Sequence, residues 1–196
     1  MALITQALVT ADEVDSYIQN QNATNDTVIE YIINAVSQMF STYCDRAFIT
    51  ATYTALKLDG NGRSDFYLPN WPVTLLSSIA EDGVALTVDV DFYADLPHGI
   101  LSKARWNWPW YDVTAKWTTK PQGILVTYTA GYTQAGTLPA DLKLAALKEI
   151  ARQYQAFITK DTGDASRSVQ GSSVSKSEPA RPEWMEVVSR YRRVRV

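Results

Sequence analysis

The residues of this chain that could do chemistry are few, and their spacing argues against most of it. A nucleophilic dyad would need Cys44, the one cysteine, activated by His98, the one histidine. Such catalysis asks for thiolate and base within hydrogen-bond reach. Cys44 closes an apolar helical run, where a buried, inert thiol is the usual state, and His98 sits in a Pro97-His98-Gly99 turn. Asp59-Gly60-Asn61-Gly62-Arg63 opens like a calcium loop. Arg63, however, stands where a third oxygen ligand belongs, and no glutamate follows at the twelfth position. Asp89 and Asp91, two apart, would share a strand face and offer two carboxylates to a cation; solvated loop acids are the plainer reading. Ser173-Val174-Ser175-Lys176 spells Ser-x-x-Lys without a predicted scaffold around it. Gly60-x-Gly62 lacks the third glycine and following helix of a phosphate loop. The sequence therefore assigns no catalytic residue, no metal ligand and no cofactor, and the expectation is a protein that is not an enzyme.

Two segments point to binding instead. In Arg105-Trp106-Asn107-Trp108-Pro109-Trp110-Tyr111, an extended backbone would set Trp106, Trp108 and Trp110 on one face. That row suits a sugar platform, a wall of the core or a subunit interface. Core or interface fits better, because Pro109 marks an edge and tryptophan commonly anchors interfaces. Near the C-terminus, Trp184, Val187, Val188 and Tyr191 recur at i, i+3, i+4 and i+7, a compact helical face. Arg190, Arg192, Arg193 and Arg195 follow without an acid among them. Phosphate contact, a helix C-terminus complementing its dipole and an acidic partner all remain open for these arginines.

Composition bounds the elements that must position these segments. The chain has 196 residues, 46% hydrophobic and 20% charged, with net charge −3. That is one domain, or one domain with an insertion and a tail. Such a chain buries roughly 70% of its unfolded surface and folds without staples. A lone cysteine excludes an internal disulfide. No apolar run reaches the ~18–20 residues of a membrane span. No signal peptide is readable, so a cytosol-like compartment is expected and the sequons at Asn22 and Asn25 read as chance. The charges are uneven: the first hundred residues hold 3 Lys/Arg against 13 Asp/Glu, the remainder 15 against 8. That asymmetry suits head-to-tail association, or an acidic segment and a basic tail pairing within one molecule.

Thr10-Ala11-Asp12-Glu13 spells a capping box ahead of Val14, Tyr17 and Ile18, predicting a helix over 10–20. Thr27 with Glu30 repeats the box. Val28, Ile29, Ile32, Ile33, Val36, Met39, Phe40 and Tyr43 then form one wide apolar stripe, a helix over 27–45. Strands are predicted in 48–58, 66–68, 73–80, 84–87, 92–94, 100–102 and 124–128, a β region spanning 48–130. Their close spacing favours antiparallel hairpins over crossovers. Pro139 opens a helix over 139–158 with Asp141 in its first turn and Leu142, Ala145, Ala146, Ile150, Tyr154 and Phe157 on its apolar face. Residues 159–178, rich in serine, read as a flexible linker. Residues 179–196 read as a C-terminal docking segment. The fold class is α+β: a helical bundle with an inserted antiparallel β region, a linker and a docking helix.

Four pieces occur in an order that resembles a known family. They are Tyr43-Cys44-Asp45-Arg46-Ala47-Phe48 ending a helix; Leu68-Pro69-Asn70-Trp71-Pro72-Val73-Thr74-Leu75-Leu76-Ser77-Ser78-Ile79 with Asp82-Gly83; Gly99-Ile100-Leu101 with Trp108-Pro109; and Val126-Thr127-Tyr128-Thr129-Ala130-Gly131-Tyr132 followed by Leu138-Pro139-Ala140-Asp141-Leu142. From about residue 8 to 158 the chain resembles the head–tail connector (adaptor) proteins of long-tailed bacteriophages. The resemblance implies a virion neck component at the head–tail junction, assembled in the host cytoplasm. It further implies a homo-oligomeric ring, expected to match the portal's twelve-fold symmetry, with the portal on one side and stopper or tail proteins on the other. Double-stranded DNA would pass through its lumen non-specifically, and no membrane is involved. In that setting Arg46 would bond the last carbonyls of its helix; the C-terminal segment lies beyond the match, and its apolar face on a helix too short to stand alone predicts docking on a neighbouring protein, the portal first, anchored by Trp184. The alternatives are a tail-completion or stopper-like neck protein and a carbohydrate-binding β module built on the tryptophans.

Overall fold

The computed structural model describes residues 2–19, 26–104, 106–108, 111–113, 115–134, 136–159, 166–169, 172–175 and 182–193. In chain order the helices and strands begin with α1 (Ala11–Ile18), α2 (Asp26–Cys44), β1 (Ala51–Leu58), β2 (Asp65–Tyr67) and β3 (Val73–Glu81). There follow β4 (Val84–Ala85), β5 (Phe92–Asp95), β6 (Ile100–Lys103), β7 (Trp106–Trp108), β8 (Tyr111–Val113) and β9 (Ile124–Ala130). The chain continues with α3 (Ala140–Thr159), β10 (Ser166–Val169), β11 (Ser172–Ser175) and α4 (Glu183–Ser189). Two units divide it: Met1–Asp45 with Thr137–Arg192, and Arg46–Gly136 with Arg193–Val196. The chain is thus mixed helix and antiparallel sheet, compatible with the predicted α+β class.

In the helical unit, Thr10 caps α1 as expected. Its hydroxyl accepts from Glu13 N while the Glu13 carboxylate accepts from Thr10 N, satisfying two donors the helix leaves open. The expected box at Thr27 is displaced. α2 starts at Asp26, so Thr27 lies within its first turn and Asp26 brings the carboxylate to the positive end of the dipole. Ile29, Ile33, Val36 and Phe40 are fully buried, as the stripe demands. Asn34 and Ser37 lie buried on the same helix because they hold the segment before α1. Asn34 Oδ1 accepts from Ile4 N, its Nδ2 donates to Ala2 O, and Ser37 Oγ accepts from Leu8 N. Ala7, Leu8 and Val9 are buried in consequence. Lys143 on α3 pairs with Glu13 on α1 at 2.5 Å.

In the β unit, β9 runs through a four-stranded antiparallel sheet of order β1-β9-β3-β4. Ile124, Val126, Tyr128 and Ala130 alternate inward along β9, the period of a half-buried strand. A three-stranded sheet, β2-β6-β5, supplies Phe66, Leu101 and Phe92 to the same core. Trp117, from an irregular stretch, fills its centre, 2% exposed and tilted against Phe66 and Phe92. Burying such a side chain contributes about 3 kcal/mol. Gly131 has φ +116°, and a Cβ there would meet the Ile49 backbone at 2.7 Å, so only glycine lets the chain leave the sheet at this point.

Two ribbons depart from the sequence expectation. β7 ends at Trp108, which pairs with Tyr111 at the start of β8. The extended row expected through Trp110 therefore stops at Trp108; Trp110 itself lies outside the described residues. Within the predicted linker, β10 and β11 pair antiparallel from Ser166↔Ser175 to Val169↔Ser172. The serine-rich composition hid this ribbon, because strand pairing needs backbone partners rather than apolar mass. The rest of 160–181 lies outside the described residues.

Candidate functional site

The C-terminal segment was expected to turn its apolar face to a neighbour, and the structure corrects that. Trp184 is 8% exposed and Val188 fully buried, both within the helical unit of their own chain. Trp184 stacks on Phe40 with ring centroids 5.1 Å apart and meets Tyr43 edge-on at 5.4 Å. The Cys44 thiol donates to Val188 O at 3.2 Å. A seven-residue helix has little stability of its own, so it does need a surface to lie on. α2 and α3 provide that surface. Tyr191 donates to Asp141 Oδ1 at 2.6 Å, and Lys148 pairs with Glu183 at 2.7 Å, a hydrogen bond that raises the lysine's pKa.

Outward of this packing, α3 and α4 leave a groove of about 520 Å³ lined by Leu144, Lys148, Arg152, Glu183, Trp184 and Val187. Its floor is apolar and its rim carries both signs of charge. Val187, which the sequence placed on the docking face, is half-buried in its wall. Arg190 and Arg192 are exposed, and Arg193 is half-buried. The Arg192 guanidinium lies 5.8 Å from the Tyr43 ring centroid. Arg195 lies outside the described residues.

The catalytic candidates are each engaged in structure. Cys44 is fully buried with its thiol on Val188, while His98 is exposed and its Nδ1 lies 2.9 Å from the Asp95 carboxylate. In the would-be calcium loop, Asp59 Oδ1 accepts from Gln122 N, and Asn61 Oδ1 from Arg63 N. Asp89 and Asp91 are not on a strand. They lie in the turn before β5, where Asp91 N donates to Thr87 O and its carboxylate accepts from Thr87 N. Among the described residues no group of three or more His, Cys, Asp or Glu could hold a metal ion. Ser173 and Ser175 lie on β11, and Lys176 falls outside the described residues.

The sequence missed two structured centres in the β unit. Arg46 is buried, donates from Nη2 to Trp71 O, and places its guanidinium carbon 3.6 Å from the Trp71 ring centroid, with Phe48 and Tyr132 at 5.2 and 5.9 Å. Asn70 Oδ1 accepts from Ala47 N beside it. The second centre is a clamp at the root of the β7–β8 ribbon. Lys103, the last residue of β6, pairs with Glu81 at 2.5 Å and lies 4.6 Å from the Trp117 ring centroid. The other Glu81 oxygen accepts from Thr118 N, Trp117 Nε1 donates to Leu101 O, and Ala104 N donates to Asp91 O. Deeper in the same unit, burial pushes the Tyr128 phenol up to about 12, and it raises stacked Tyr53 as well.

A family model described as head completion protein matches residues 7–194. No curated protein matches the chain in sequence. Among solved structures, the chain is similar to the neck of an empty GTA particle computed with C6 symmetry, at TM-score 0.58 and 18% identity, over 100% of this chain and 95% of that one. It is equally similar to the neck of a native GTA particle computed with C12 symmetry, at 0.58 and 16%, over 100% and 94%. A chain of the virion of a native gene transfer agent particle follows at 0.52 and 15%, over 100% and 94%.

Proposed function

Because the chain belongs to the head completion protein family, we propose that it is a structural subunit of the virion neck, a head–tail adaptor that forms a ring between portal and tail. The family match over residues 7–194 carries this reading. Likeness to the neck chains over the whole of this chain supports it, and those necks were computed with C6 and C12 symmetry. Twelve copies around the portal, the genome passing through the lumen, and stopper or tail proteins below complete the proposal.

The charge distribution suits such a ring. An acidic first half and a basic second half favour heterologous contacts, which close into rings rather than two-fold dimers. An acidic lumen would repel passing DNA. With Trp184 and Val188 enclosed, the part of the C-terminal segment that supports a contact with a neighbour is the α3–α4 groove with exposed Arg190 and Arg192. The chemistry asked of the subunit is shape and charge, with no bond made or broken.

Particles produced without this protein test the reading. Filled heads and free tails that fail to join, together with density for the subunit at the neck of complete particles, are the expected result. Complete infectious particles lacking the protein would overturn it.

A further inference from the structure

We propose that the turn between β4 and β5 is an intersubunit key that seats in the α3–α4 groove of the next copy, with Asp89 meeting Arg190, an assignment that rests on the ring reading above. Val84 on β4 is 65% exposed, and Val88 and Val90 in the turn are 42% and 60% exposed. Three valines within seven residues thus stand open to solvent. Turns are ordinarily built from Gly, Pro, Asn, Asp and Ser, which supply the backbone conformation or the local hydrogen bonds. Valine supplies neither, so turn chemistry does not account for Val88 and Val90. A contact made outside the chain does.

The turn is tied so that it holds them out. Asp91 N donates to Thr87 O while the Asp91 carboxylate accepts from Thr87 N. Val90 N donates to Thr87 O, and Asp89 N donates to the carbonyl of Phe92, whose side chain is fully buried in the core of the β unit. Asp89 takes φ +63°, a left-handed conformation that its short polar side chain tolerates. It is exposed between the two valines, and its carboxylate has no partner among the described residues. A tip ordered in advance loses little freedom on docking.

The groove offers the complement. Leu144, 46% exposed, with Ala145 and Val187 makes its apolar lining. Its rim charges are matched in place, Lys148 by Glu183 and Arg152 by Glu149. Arg190 is not matched. It follows Val187 by three residues and its N–H donates to Val187 O, so it continues the same helical face one turn on. It is exposed, and no carboxylate pairs with it among the described residues. Two valines flanking a lone acid therefore meet an apolar groove that ends in a lone arginine. The stretch between Arg63 and Lys103 holds six carboxylates and no lysine or arginine, so the key is anionic as a whole. This complementarity selects a second copy of the chain as the occupant. Key and groove are different surfaces, so the contact is heterologous and repeats around a ring.

Variants of the full chain, each checked by thermal unfolding, are assembled on portal rings, and native mass spectrometry counts the copies on each portal. Val88→Ser with Val90→Ser strips the key, and Leu144→Glu blocks the groove at an exposed position. Both unfold as wild type does, and each loses about tenfold in closed rings while single copies still seat on portal. Asp89→Lys and Arg190→Asp each lower ring yield severalfold, and the two exchanges combined recover it. Normal rings from the key or groove variant would overturn the inference, and so would a double exchange that recovers nothing. Key and groove variants that no longer seat on portal yet still associate with one another would assign the groove to portal and overturn it too. Wild-type chains that never close rings on portal would overturn the ring reading itself.

Discussion

Arg46 and Trp71 form a stacked pair closed by a hydrogen bond: the guanidinium lies over the indole, 3.6 Å from its centroid, and donates to the carbonyl of the same tryptophan. A planar cation can do both at once. An ammonium cannot, because its charge is a point and its donors are tetrahedral. The pair ties the residue that opens the β unit to the segment entering β3.

Arg46→Lys is accordingly not conservative. It should destabilise the protein by about 2 kcal/mol, from a lost stack and a weakened charged hydrogen bond. Urea unfolding of Arg46→Lys, Trp71→Leu and the double variant measures the coupling. Additive single effects would show that the two residues act independently.

Trp184→Ala should act on stability within the chain. Emptying the space between Phe40 and Tyr43 costs about 3–4 kcal/mol, and α4 should lose hydrogen-exchange protection while β9 keeps its own. Trp184 fluorescence quenched only on adding portal, with stability unchanged by the substitution, would contradict the intramolecular packing.

Glu81→Gln leaves Lys103, whose side chain is 11% exposed, without its charge partner. Weakening such a largely enclosed pair costs about 2 kcal/mol, and the amide keeps a single acceptor oxygen, for which Lys103 Nζ and Thr118 N then compete. Exchange at residues 117–120 should rise more than exchange in β9. A uniform rise across the β unit would show that the clamp has no local role.

Alkaline stability should fall between pH 10 and about 12. Burial chiefly holds Tyr128 protonated in the folded state up to about 12, above the ordinary phenol value of about 10. Below pH 10 both states carry the proton and the preference is fully present. As pH rises through that window the unfolded chain ionises first and stability is lost, by an amount of about 2 kcal/mol. Tyr128→Phe should flatten the slope of unfolding free energy against pH there. Tyr53→Phe should flatten it less, and an unchanged slope in both would rule burial out as the cause.

Periodic elements were legible in the sequence and irregular ones were not. The stripe from Val28 to Tyr43 and the alternation through Ile124, Val126 and Tyr128 announce their faces, because burial repeats at the period of the backbone. Trp117 has no such repeat around it, so nothing local marks it as the centre of a core. The alternate spacing of Trp106, Trp108 and Trp110 imitated one long strand and concealed the reversal after Trp108. For α4 the apolar face was readable, but its cover was not: Phe40 and Tyr43 lie at the far end of the chain. Arg46 was noticed at a helix end, and its stacking partner was hidden for the same reason.

The helical unit is drawn from both ends of the chain, whereas nearly all of the β unit is one continuous stretch. On the ribosome these two differ in timing. Once α2 is made, its apolar stripe must wait for α3 and α4, and at ~5–20 residues per second that interval lasts roughly 5–30 seconds. The β unit meanwhile has all but its last residues and can close first. Throughout that delay α2 has only α1 and the segment before it as cover, and the space that Trp184 fills beside Phe40 stays open, which makes the nascent chain a client for chaperones. A nonsense mutation ahead of α3 would leave the α3- and α4-facing part of the stripe open permanently, turning a folded β unit into the carrier of an aggregating segment.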